Sequence, residues 1–173
     1  MKPLESKRIY DGRVINLRID TLQSKGRTHV VEVVEHRGAV VIIALPTPAS
    51  IVLVRQYRHP MEARLWEVPA GGIDGKETPL AAAVREMREE TGHRTSDMRA
   101  LFSAYSAPGF CDEMLHYHTC SMWTEGETDF DEGEDITMRT FALDEAWSMI
   151  ERGEIQDSKT TIGVLWALRE ASR

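Results

Sequence analysis

Apolar and polar residues alternate from Val14 to Leu22, with Ile15, Leu17, Ile19 and Thr21 set against Val14, Asn16, Arg18 and Asp20. A period of two predicts a strand with one covered face. Gln23-Ser24-Lys25-Gly26 carries turn residues and Thr28–Glu35 resumes the strand pattern, so a hairpin is expected. Ala39–Leu45 is apolar throughout, the pattern of a strand buried on both faces. Pro46-Thr47-Pro48 ends it. The next strand, Ile51–Val54, ends in the polar cluster Arg55-Gln56-Tyr57-Arg58-His59-Pro60.

A helical period follows. Thr78 is the expected N-cap, Pro79 the first helical residue and Gly92 the left-handed stop. Leu80, Ala83, Val84, Met87 and Thr91 share one stripe and are expected to face the core, with Glu86, Glu89 and Glu90 on its flank. Further strands are expected near Met98–Ser106, Leu115–Trp123 and Ile136–Phe141, and helices over Asp144–Arg152 and Thr160–Glu170. Many strands and few helices predict an α/β sandwich.

The size, 173 residues, suits one domain with a sizeable core. A net charge of −7 argues against nucleic acid or an anionic membrane as partner. The only cysteines, Cys111 and Cys120, do not form a Cys-x-x-Cys pair and read as free thiols in a reducing compartment. The N-terminus shows no apolar signal region, and the run Ala39–Pro46 is too short to cross a bilayer. A soluble, cytoplasmic protein is expected.

The three helical glutamates change this picture most. Neighbouring like charges on a helix cost about 0.2–0.5 kcal/mol per pair. A cation would offset that cost, and hard ions such as Mg²⁺ prefer carboxylate oxygen. A phosphate-bearing substrate could bind so acidic a chain through bridging metal ions.

The spacing Gly71-x5-Glu77-x7-Arg85-Glu86-Met87-x-Glu89-Glu90-x-Gly92 resembles the Nudix box of the Nudix hydrolases. One position departs: His93 stands where the family usually has an aliphatic residue. Leu65-Trp66-Glu67-Val68-Pro69-Ala70-Gly71-Gly72 and Pro108, sixteen residues after Gly92, are similar to the ADP-ribose pyrophosphatase subgroup. That subgroup more often has serine before the proline, where this chain has Ala107. Glu132–Ile136 and Asp157–Thr160 are similar to it too.

The resemblance implies a Nudix-type α/β/α sandwich with a mixed sheet over residues 38–173. An N-terminal antiparallel β extension over 1–37 would serve dimerisation. It implies a homodimeric, Mg²⁺-dependent hydrolase, with Mn²⁺ as a substitute, that cleaves ADP-ribose or another nucleoside-diphosphate sugar such as GDP-mannose. A non-catalytic, nucleotide-sensing Nudix domain is the rival from another class. Glu86, Glu89, Glu90 and the Ala70 carbonyl are the implied metal ligands. Gly71, Glu77, Arg85 and Gly92 are structural, with Arg85 paired to Glu77 or Glu67. The general base is expected at Glu132, with Glu134 second and Glu89 a further catalytic carboxylate. Arg55, Arg58, Glu67 and Glu113 are candidate substrate contacts. Tyr10, Tyr57 and Phe110 are candidate adenine stackers, and His116 and His118 read as ordinary strand residues.

Overall fold

The computed structural model describes residues 3–128 and 136–173, so the candidate bases Glu132 and Glu134 lie outside the described residues. The chain divides into two compact units: residues 1–39 with 103–115, and residues 40–102 with 116–173.

The first unit is built on an antiparallel sheet of β1 (Glu5–Asp11), β2 (Ile15–Ser24) and β3 (Arg27–His36), in that order. Strands β2 and β3 pair without interruption from Ile15↔His36 to Ser24↔Arg27. Their two-residue turn needs left-handed backbone at both positions, and Lys25 (φ 50°) and Gly26 (φ 74°) supply it. Asp20 is buried and accepts from Ser6 and Arg18, and Arg18 reaches on to Glu35. Around Phe110–Asp112 the backbone bonds to Val34, at 2.7 Å (Val34 N–H to Phe110) and 3.1 Å (Asp112 N–H to Val34).

The second unit holds most of β4 (Ala39–Ala44), then β5 (Ser50–Arg58), β6 (Ala63–Glu67), β7 (Ala70–Gly72) and α1 (Pro79–Thr91). After α1 come β8 (Arg94–Thr95), most of β9 (Arg99–Tyr105), most of β10 (Met114–Cys120) and β11 (Trp123–Thr124). The chain closes with β12 (Thr137–Ala142), α2 (Leu143–Glu151) and α3 (Ser158–Ala171). One sheet has the order β7-β4-β10-β9; β12-β5-β6 forms an antiparallel sheet, and β8 pairs with β11.

Strand β4 explains the layering. Val40 to Ala44 are fully buried, as the unbroken apolar run predicts. Val40, Ile42 and Ala44 join Ala82, Ala83 and Met87 of α1 and Cys120 of β10 in one cluster. Successive side chains of a strand point to opposite faces, and Ile43 meets α3, where a Cβ at Gly163 would lie 3.4 Å from it. The second unit is therefore a strand layer between α1 and α3, an α/β/α sandwich.

Two expectations for α1 are corrected. Leu80 and Val84 are 45% and 38% exposed, so they are not the core face of α1. The buried residues are Ala82, Ala83, Met87, Glu90 and Thr91. Small alanines let the helix lie close on β4, and the buried face then takes in Glu90 rather than leaving it on the flank. Strand β5 ends at Arg58, within the polar cluster as expected, and β6 pairs with it as far as Arg58↔Ala63.

Candidate active site

The helix begins and ends where its caps dictate. Thr78 Oγ1 accepts from the Ala81 N–H at 3.2 Å, and Pro79 occupies the first turn. Gly92 ends it at φ 73°, its N–H donating to Arg88 O at 2.8 Å. A side chain at position 92 would also strike the carbonyl of Gly126, 2.3 Å from an ideal Cβ.

Arg85 organises the turn before the helix. Nε and Nη2 donate to the two oxygens of Glu77 at 3.3 and 2.7 Å, the bidentate geometry a guanidinium favours. Nη2 also reaches the Gly72 carbonyl at 2.8 Å, and Nη1 reaches Glu86 and Glu89 at 2.7 and 2.8 Å. All five guanidinium N–H groups thus have an acceptor. These bonds, led by Glu77, hold the Arg85 pKa well above its usual value despite partial burial. Of its two expected partners, Glu77 is the one it meets.

Glu90 is 4% exposed, and one of its oxygens accepts from the Ala70 N–H at 3.1 Å. Glu86 lies flat on Gly71, where a Cβ would be 2.1 Å from the Glu86 carboxyl carbon. No residue but glycine fits there without moving that carboxylate. Glu86 and Glu90 thus bring carboxylate oxygens, the donors hard divalent cations prefer, to the Ala70–Gly71 turn, with Glu89 tied to Glu86 through Arg85. Among the described residues no group of three or more His, Cys, Asp or Glu is close enough to hold a metal ion alone.

Glu67 is 1% exposed, and Arg58 grips it with Nε and Nη2 at 2.7 and 2.8 Å. Lys159 Nζ bonds it too, and also pairs with Asp157 at 3.0 Å. Burial pushes the Glu67 carboxyl up, but Arg58 and Lys159 outweigh burial and leave it below its usual value. The Glu67 hydrogen bonds raise Arg58 in turn, with smaller help from Glu90 and Asp157. Lys159 and Asp157 were missing from the candidates. Their signal was the Asp157-Ser158-Lys159-Thr160 string: Asp157 caps α3, accepting from Thr160 N at 2.9 Å, three residues before the expected helix start at Thr160.

The other candidates are scattered. Arg55 lies 5.7 Å above the Trp66 ring. Tyr57 is exposed, as are Tyr10 and Phe110 of the first unit. Glu113 and Pro108 also belong to the first unit, where Glu113 lies 3.4 Å from His36 Nδ1. His116 and His118 lie on β10.

Fold and site together define an α/β domain with a glutamate-bearing helix set against a glycine turn. Residues 35–162 match the NUDIX domain, and the chain belongs to that family. Nudix hydrolases generally use a divalent metal. The chain is 38% identical to a Bacillus methanolicus protein described as a methanol dehydrogenase activator, over 98% of this chain and 94% of that one. It is 39% identical to an ADP-ribose pyrophosphatase of Mycobacterium tuberculosis (strain ATCC 25618 / H37Rv), over 94% and 80%. A crystal structure of an ADP compounds hydrolase superposes with a TM-score of 0.84 at 21% identity, covering 98% of this chain and 92% of that one. Among the described residues no helix is long and apolar enough to cross a membrane.

Proposed function

We propose that the protein is a Mg²⁺-dependent hydrolase of the pyrophosphate bond in ADP-ribose or a related nucleoside-diphosphate sugar. AMP and ribose 5-phosphate are the products from ADP-ribose. One observation carries the reading: Glu86, packed on Gly71, and Glu90, bonded to Ala70, converge on one glycine turn. The near-full-length likeness to an ADP-ribose pyrophosphatase supports the substrate class.

In this reading Glu86, Glu89, Glu90 and the Ala70 carbonyl hold Mg²⁺, and Mn²⁺ can replace it. The bound ion neutralises phosphate oxygens and lowers the pKa of a water molecule. Arg85 bridges Glu86 and Glu89 and ties them to the glycine turn through the Gly72 carbonyl. Glu132 takes the proton from the attacking water, with Glu134 the second choice, while Glu89 acts in the metal shell or through water. Arg58, held by Glu67, and Arg55 present guanidinium groups suited to phosphate. The protein works in the cytoplasm as a homodimer paired through residues 1–37.

The test is AMP release from ADP-ribose, with and without Mg²⁺, for wild type and Glu90→Gln. Glu90→Gln should abolish most metal-dependent turnover; undiminished turnover sinks the ligand assignment. Glu132→Gln should lower kcat by about 10²–10⁴-fold, the usual worth of a general base. If Glu134→Gln does so instead, the order of the two is reversed. A panel that includes GDP-mannose separates ADP-ribose from other sugar nucleotides, and binding without turnover of any of them would favour a sensor.

A further inference from the structure

The backbone between β6 and β7 is only Val68 and Pro69, yet it sets where Ala70 and Gly71 stand against Glu90 and Glu86. Two of its supports come from 92 residues downstream. The Val68 N–H donates to Thr160 Oγ1 at 2.9 Å, and the Thr160 hydroxyl, fully buried, donates in turn to Asp157. One residue before, the Glu67 carboxylate bonds Lys159, the neighbour of Thr160 on the same helical turn. One residue after, the Pro69 carbonyl accepts from Ile42 N at 2.9 Å. The Ala70 N–H then meets Glu90. The first turn of α3 thus grips Glu67 by its side chain and Val68 by its backbone, just before the residues that face the carboxylates.

We infer that Thr160, relayed through Asp157, is a positioning residue for the metal site: it fixes Val68 and so places the Ala70–Gly71 turn against Glu86 and Glu90. The inference rests on the proposed reading of that site. A hydroxyl is needed because it must accept from Val68 and donate to Asp157 at once, which valine, of nearly the same shape, cannot do. Partners one shell removed from a metal typically change its affinity about 10–100-fold when lost.

The experiment is titration of the full-length protein with Mn²⁺ alone, without substrate, read by calorimetry. Thr160→Val should weaken Mn²⁺ binding at least tenfold and raise the Mg²⁺ concentration needed for half-maximal turnover. Thr160→Ser, which keeps the hydroxyl, should stay within about threefold of wild type. Met149→Ala, which opens a cavity under α2 and removes none of the hydrogen bonds of this relay, controls for general destabilisation and should lower Tm without changing Mn²⁺ affinity. If Thr160→Val binds Mn²⁺ like wild type, or if Met149→Ala weakens binding as much, the positioning role is overturned. Glu90→Gln separates the two levels: if it loses Mn²⁺ while Thr160→Val does not, the relay is wrong and the site stands. If Glu90→Gln binds Mn²⁺ unchanged, the site and the relay fall together. Should Thr160→Val fail to fold, Asp157→Asn carries the test, since asparagine caps a helix as well as aspartate. It removes the charge holding the Thr160 hydroxyl and Lys159, so several-fold weaker Mn²⁺ binding is expected, and unchanged binding overturns the role.

Discussion

At the scale of single residues, Arg85 and His93 show what the sequence could and could not convey. The sequence left Glu77 and Glu67 both open as partners of Arg85, and nothing in it announced that Gly72, Glu86 and Glu89 would use the remaining donors. Lysine has three donors and no fork. Arg85→Lys should therefore lower kcat/KM for AMP release about 10–100-fold, with the loss traced to metal affinity by Mn²⁺ titration. His93, the one departure from the family pattern, is 7% exposed and stacks on Trp123 at 4.9 Å between ring centroids. Among the described residues its Nδ1 has no hydrogen-bond partner. Burial lowers its pKa, against a smaller opposing pull from Glu125. Between the folded and unfolded values, the unfolded chain binds the extra proton. Stability is then fully present above the unfolded value, about 6.5, and falls as pH drops below it. His93→Leu should flatten the fall in Tm between pH 7 and pH 5.5. It should also raise Tm at pH 7 by about 3 °C, by removing an unsatisfied buried group worth about 1 kcal/mol. A steeper fall in the variant would contradict this account.

At the scale of elements, caps were more legible than faces. Thr78, Pro79 and Gly92 act locally, so their chemistry fixes the ends of α1 without help from the rest of the chain. Thr78→Ala should cost about 1 kcal/mol, seen as a Tm lower by about 3 °C. The buried face of α1 was not legible, because it depends on what the helix meets. Against the flat, fully buried β4 the alanines pack and Leu80 is left outside. The same contact carries Glu90 inward, where the Ala70 N–H receives it. Likewise β5 outruns its apolar segment, since backbone pairing with β6 continues through polar side chains. Pairing partners distant in sequence leave no mark on local periodicity.

At the scale of the whole molecule, the apolar run of β4 was enough to predict a sheet covered on both faces. The division of the chain was less plain. Residues 103–115 cluster with the N-terminal strands, a grouping no composition shift marks. In that unit Leu4, Ile9, Tyr10, Val14, Ile15 and Val30 are all exposed, from 41% to 66%. The proposed homodimer would give these exposed apolar side chains a partner. Light scattering should find a particle of twice the 19.6 kDa chain mass. Val30→Lys should shift it toward monomer, and a wild-type monomer at micromolar concentration would remove the dimer from the proposal.

The placing of the two cysteines has a practical use. Cys120 belongs to the α1 cluster, and burial, aided by Asp97, pushes its thiol up to about 12. At pH 8 almost none of it is the thiolate that reacts. Cys111 is half-buried in the first unit, its sulfur accepting from the Glu113 N–H at 3.4 Å. A maleimide dye should therefore mark Cys111 alone in the native protein, giving the N-terminal unit a fluorescent reporter with no engineered residue.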